Sequence, residues 1–175
     1  AIEKEEVAAV AMMEGNKIDG YFYSDEVTQF ETSLISLSAR QFKLKRIQDL
    51  NNKHVLAFQD ASKIFDDLAR LGQSSAFYHE IVDQEAQVAL LFSGRVDFII
   101  IDKSIFQYWR NQLAKVKTNE PVTYHDLNSI SSIKVKSPTY TVFKDKTIRD
   151  KFNRDLKAFI NSTEYNEIFD KYLKM

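Results

Sequence analysis

The feature that most restricts this chain is an alternation, from His54 to Lys115, of short strand-like runs with segments of helical spacing. His54-Val55-Leu56-Ala57-Phe58 and Val96 to Ile101 are of strand length and too apolar for strands with one wet face. Ser74 to Ile81 reads as a further strand. Residues 62–71 place Ile64, Phe65, Leu68 and Leu71 on one helical face, and residues 84–93 form a second helical segment closed by Gly94. Residues 103–115 form a third, carrying Ile105, Phe106, Trp109 and Leu113. This order predicts right-handed βαβ units and a parallel sheet covered on both faces. The fold class is α/β.

The flanks are less regular. Residues 3–14 carry Val7, Ala8, Val10, Ala11 and Met12 at a spacing that predicts a helix, stopped by Gly15-Asn16. Ile18 to Tyr23 and Leu34 to Ser38 read as strands, residues 40–46 as a basic solvated turn, and Ile47 to Leu50 as one helical turn. Residues 118–138 are polar and irregular and hold both prolines. Tyr140 to Phe143 predicts a last strand, and residues 146–160 and 163–173 predict two closing helices. Their Phe152, Phe159, Tyr165, Phe169 and Tyr172 read most simply as core.

Several function classes drop out. A net charge of −1 gives no general field for gathering nucleic acid. With no cysteine there is no disulfide framework, thiol nucleophile or cysteine-held metal. His54, His79 and His125 lie far apart without ligand spacing, so no metal site is expected. GxSxG, GxxxxGK[ST] and GxGxxG are all absent, and no cofactor is expected. No apolar run approaches the roughly 20 residues that a membrane-spanning helix takes.

In open α/β sheets ligands sit at the carboxyl ends of strands, which directs attention to Gln59–Ser62 and to Asp102. Ser62 can act as a helix N-cap, or the N–H groups of Ala61, Ser62 and Lys63 can hold an anion. Asp102 can pair with a ligand ammonium or cap the following helix. His79-Glu80 reads as an exposed strand end.

Four segments carry a resemblance. They are Gly15-Asn16-Lys17-Ile18-Asp19-Gly20, then Ile47 to Val55, then Gly94-Arg95-Val96-Asp97 with Asp102, and Lys151-Phe152-Asn153 through Tyr165 to Ile168 with Lys171-Tyr172. In order and spacing the chain resembles the family 3 periplasmic solute-binding proteins, the amino-acid-binding type associated with ABC transporters. The resemblance implies a type II periplasmic-binding fold, with two α/β lobes that close on a ligand between them. Lobe one would comprise residues 1–40 and 140–175, and lobe two residues 42–138. The family's opening strand–helix–strand has no counterpart here, so the sequence is either a piece or a shortened relative with an incomplete first lobe. Residue by residue, the resemblance places Ser24 at the end of a lobe-one strand that meets ligand. It places Gln59, Ala61 and Ser62 in the loop that holds an α-carboxylate, and Asp102 against the α-ammonium. Two departures stand out: Ser24 is followed by Asp25 to Phe30 without the family's arginine, and Asp60 replaces the loop's usual glycine.

The function so implied is a non-enzymatic, extracytoplasmic solute-binding domain. It would capture a small polar, amino-acid-like ligand for a membrane permease or a membrane sensor. The alternative is a degenerate, ligand-free module of the same fold that self-associates as a homodimer through the incomplete lobe. An enzyme of cyclohexadienyl-dehydratase type would need a cleft acid, for which only Asp102 or Glu80 could serve.

Overall fold

The computed structural model describes residues 7–13, 18–113 and 119–173. The strands are β1 (Ala9–Met13), β2 (Phe22–Tyr23), β3 (Thr28–Leu37), β4 (Val55–Phe58), β5 (Tyr78–Ile81), β6 (Phe98–Asp102), β7 (Val122–His125) and β8 (Lys136–Phe143). The helices are α1 (Ala61–Ile64), α2 (Asp66–Ser74), α3 (Gln84–Phe92), α4 (Lys103–Gln112), α5 (Leu127–Ile130), α6 (Lys146–Ile160) and α7 (Thr163–Leu173). The chain divides into two compact units. Unit 1 joins the residues up to Phe30 to those from Lys136 onward, and unit 2 is Glu31–Val135.

Unit 2 is the α/β layer structure that the alternation predicts. β4 pairs in parallel with β5 on one side and β6 on the other, while β3 lies antiparallel to both β6 and β7. The order is therefore β5-β4-β6-β3-β7. Alternate residues of these strands feed two cores, because successive side chains leave a strand on opposite faces. Leu34, Val55, Ala57, Phe98 and Ile100 enter one, under α1, α2 and α5. Ile35, Leu56, Ile99 and Ile101 enter the other, with Val88 and Leu91 of α3 and Phe106 of α4. Burying each such side chain fully contributes about 1.5–3 kcal/mol, which accounts for the unbroken apolar run of β6. Gly94 ends α3 at φ +69°, and its carbonyl accepts a hydrogen bond from Arg40 at 3.3 Å. The Asp97 carboxylate accepts from the His54 N–H at 3.0 Å, which fixes the start of β4 beside the start of β6.

In unit 1, β8 pairs antiparallel with both β1 and β2, and α6 and α7 follow it in sequence. Asp145 caps α6, accepting from the Thr147 and Ile148 N–H groups at 2.6 and 3.0 Å. Among the described residues no helix is long and apolar enough to cross a membrane.

Four expectations change. Residues 9–13 of the expected 3–14 helix form β1 instead; Glu3 to Glu6, Glu14 and the Gly15-Asn16 stop lie outside the described residues. A continuous apolar run carries no period of its own, and the partner strand β8 decides it. The helix expected over 62–71 is two helices, broken at Phe65 (φ −121°, ψ 113°), whose ring meets Phe58 edge-on. The irregular stretch 118–138 contains β7 and α5. The aromatic stripe of α6 and α7 is mostly not core: neither helix has a buried residue, and Phe159, Phe169 and Tyr172 are exposed, while half-buried Phe152 packs on the buried Phe143 at a centroid distance of 5.1 Å. Phe159, Tyr165 and Phe169 pack instead on one another, with ring centroids 5.6 and 5.1 Å apart.

Candidate functional site

One end of the unit 2 sheet collects the chemistry. Ala57 of β4 lies opposite Ile100 of β6, so Gln59 and Asp102 follow neighbouring parallel strands at the same edge. β3 enters at that edge too, with Thr32 opposite Asp102, and β7 leaves from it, with His125 opposite Leu34.

The loop after β4 is built around a carboxylate of the chain itself. Glu80, on β5, turns its two oxygens to the backbone N–H groups of Asp60 and Ser62, at 2.8 and 2.7 Å. The Tyr78 hydroxyl donates to the same carboxylate at 2.8 Å. Burial works against ionising Glu80, but the hydrogen bonds from the Ser62 N–H and hydroxyl, Tyr78 and Asp60 outweigh it. The carboxyl is held below its ordinary range and stays charged at neutral pH. Burial first, and then the Glu80 charge, push the Tyr78 hydroxyl far above its usual value, so it remains a donor. Asp60 takes the left-handed conformation, φ 65°, a backbone that glycine adopts without steric cost. Its carboxylate reaches Lys63 Nζ at 2.8 Å, an exposed pair.

Asp102 ends β6 and caps α4. One oxygen accepts from the Ser104 and Ile105 N–H groups at 2.8 and 3.0 Å, and the other from the Glu31 N–H at 2.7 Å. The carboxylate thus joins α4 to the incoming strand β3. Beside it lies a cavity of about 290 Å³ lined by Glu31, Lys103, Tyr124, His125 and Asp126 among others. Lys103 Nζ stands 3.3 Å from Glu31 and 5.9 Å from the centre of the Tyr124 ring. Both charges are half exposed, which leaves them open to a polar ligand. His125 Nε2 is 2.8 Å from Ser36 Oγ, and burial lowers its pKa, which favours the neutral ring.

Of the residues expected to form a site, Gln59, Ala61, Ser62 and Asp102 stand at this one end of unit 2. Gln59 is exposed and its N–H donates to Ile81. Ala61 is fully buried, which leaves its side chain to the core. The Ser62 N–H is occupied by Glu80. Ser24 belongs to unit 1, where its buried hydroxyl accepts from the Thr141 N–H at 2.9 Å and donates to the Asp25 carbonyl at 2.6 Å. Glu80, which the sequence reads as an exposed strand end, is instead half-buried and turned onto the β4 loop. Its signal was the period of two: Tyr78 and Glu80 share a face of β5, and an inward tyrosine carries the glutamate inward with it.

The sequence matches no family model and no curated protein. Solved structures do match. The ligand-binding core of GluR0, solved with L-glutamate, superposes with a TM-score of 0.65 at 16% identity, over 97% of this chain and 74% of that one. AbpA, an amino-acid ABC transporter substrate-binding protein of Streptococcus pneumoniae bound to L-arginine, gives 0.63 at 15%, over 99% and 70%. ArtJ, the arginine-, lysine-, histidine-binding protein of Geobacillus stearothermophilus, gives 0.60 at 17%, over 99% and 72%. Across eight of the matching structures the chain spans 61% to 74% of the matched chain's length. The fold of this chain is that of the type II periplasmic solute-binding proteins.

Proposed function

We propose that this protein is an extracytoplasmic solute-binding domain that captures a small polar, amino-acid-like ligand and serves an ABC permease or a membrane sensor. The observation that carries the reading is the superposition of nearly the whole chain on amino-acid-binding proteins. The chemistry at the carboxyl edge of the unit 2 sheet supports it. A cavity of about 290 Å³, flanked by Glu31 and Lys103, has the size and paired charge that suit a zwitterion. In this reading the ligand sits at the carboxyl edge of the unit 2 sheet, where Gln59, Ser62 and Asp102 stand, and the protein acts by binding rather than catalysis. Calorimetry against a panel of amino acids and organic acids tests it. Saturable heat with one of them, matched by a thermal shift, is the expected result; no heat and no shift with any would refute it.

Two observations favour the second reading, a ligand-free module that self-associates. The donors of the β4 loop and the Asp102 carboxylate are already engaged within the chain. Unit 1 also leaves Phe159, Ile168, Phe169 and Tyr172 between 38% and 47% exposed, an apolar surface that suits a second copy. Sedimentation showing a dimer indifferent to every ligand of the panel would select this reading.

A further inference from the structure

The loop between β4 and α1 has the donor geometry of a carboxylate receptor, and the chain fills it. The N–H groups of Asp60 and Ser62 each meet a separate oxygen of Glu80, and Tyr78 closes a third side. We infer that Glu80 is a specificity-determining residue that bars an external carboxylate from this loop, so that a ligand meets this part of unit 2 with an uncharged or cationic group. The inference deepens the solute-binding reading and rests on it.

An external carboxylate could reach the two N–H groups only by displacing Glu80, which would then lose three hydrogen bonds at a half-buried position. If Glu80 stayed, two carboxylates would face each other, and the charge of Lys63, the basic residue of this loop, is already engaged by Asp60 and Glu80. The backbone is tied down as well: Lys63 and Ile64 donate to the Asp60 carbonyl, and Gln59 to Ile81. Nothing in this arrangement yields to an anion. A guanidinium, ammonium or hydroxyl group approaching the outer side of the same carboxylate would instead be attracted to it.

The test reads the loop directly. The backbone amide resonances of Asp60 and Ser62 are followed in the whole protein as excess acetate, the simplest carboxylate, is added. In the wild type both resonances should stay in place; in Glu80→Ala they should move and saturate, because the freed N–H groups take the anion. Movement in the wild type, or none in a Glu80→Ala protein with a dispersed, folded spectrum, overturns the inference. Glu80→Gln, which keeps the shape and one acceptor, serves if the alanine variant does not fold, with a smaller movement expected. Calorimetry with L-arginine and agmatine, which share a guanidinium and differ by a carboxylate, gives the ligand readout. Glu80→Ala should raise the preference for L-arginine over agmatine on the order of 10-fold. An unchanged ratio with both ligands bound overturns the inference and leaves ligand capture standing. Absence of heat with both ligands, alongside the expected acetate result, counts against amino-acid capture and leaves Glu80 as the gate of this loop.

Discussion

Asp102 carries three backbone N–H groups on one carboxylate, and its replacement by alanine isolates what that junction contributes. Two of the bonds cap α4, and losing an aspartate cap to alanine costs about 0.5–2 kcal/mol. The third, from the Glu31 N–H at 2.7 Å, holds β3 against the end of β6, and a hydrogen bond to a charged group contributes about 1.5–3 kcal/mol. Half-burial of Asp102 places both at the lower part of their ranges, because water can replace some of what is lost. The expected total is about 2–3 kcal/mol. The sole tryptophan, Trp109, stands on α4 and packs on the core beneath it, so its fluorescence follows the element that Asp102 caps. With a urea m-value of about 2 kcal/mol/M, the midpoint should fall by about 1 M or more. Asp102→Asn keeps an oxygen for the cap but turns an amide donor toward the Glu31 N–H, so its midpoint should lie between the other two. A midpoint for Asp102→Ala within about 0.2 M of wild type would refute the junction argument. Titrating the Asn variant with the best ligand of the panel separates structure from recognition. A 10- to 100-fold weaker dissociation constant assigns Asp102 to an amine-bearing ligand, and an unchanged constant leaves it purely a cap.

Asp67, nearly buried, accepts from the Ser132 hydroxyl and N–H and pairs with Arg70, and these contacts hold its pKa below the usual carboxylate value. Its folded value is depressed, so its contribution is complete above about pH 3.9 and is lost as pH falls through the lower folded value. Asp67→Asn should therefore cost about 1–3 kcal/mol at pH 7, with the gap to wild type closing in urea melts repeated toward pH 2. Gln87 is fully buried and donates to the Leu56 and Ile100 carbonyls at 2.7 and 3.0 Å. Gln87→Leu should lower stability by about 1–3 kcal/mol and speed amide exchange along β4 and β6, whereas unchanged exchange would show that the amide is dispensable. Gly94→Ala places a Cβ in ordinary contact with Arg40, so its cost is that of the left-handed backbone, about 1–2 kcal/mol by chemical melt. No loss there would mean that the α3 terminus rearranges freely.

What was legible in the sequence follows from how much of each signal was local. Unit 2 announced itself because Val55 to Phe58 and Phe98 to Ile101 are each wet on neither face, and only a covered central strand needs that composition. α6 and α7 were readable from their spacing alone, and their bounds match. β1 was not readable: Ala9 to Met13 is apolar at every position, and its state is set by a pairing with β8 far along the chain. β7 was hidden for a similar reason, since Val122 to His125 is short and gains its order from β3. At the candidate site, position was legible and occupancy was not. The rule of strand carboxyl ends led to Gln59–Ser62 and Asp102, but hydrogen-bond partners across strands have no sequence period. Glu80 lies 18 residues from the Ser62 N–H it accepts, and the Glu31 N–H lies 71 residues from Asp102.

The division of the chain also dictates an order of assembly. Unit 2 is one uninterrupted stretch, whereas unit 1 is gathered from both ends, and its β1–β8 register sets Ala9 against Phe143, 134 positions away. Closing so long a loop from an open coil is slow, because the entropy of closure is spent before any contact repays it. Once unit 2 has folded, the Thr32 N–H donates to the Val135 carbonyl at 2.7 Å, and the two arms of unit 1 leave from adjacent points. The remaining loop is then only about 30 residues of free chain, which lowers the closure cost by about 1 kcal/mol. A growing chain therefore makes its middle first. β1 and β2 meet their partner β8 only after the whole of unit 2 has been synthesised.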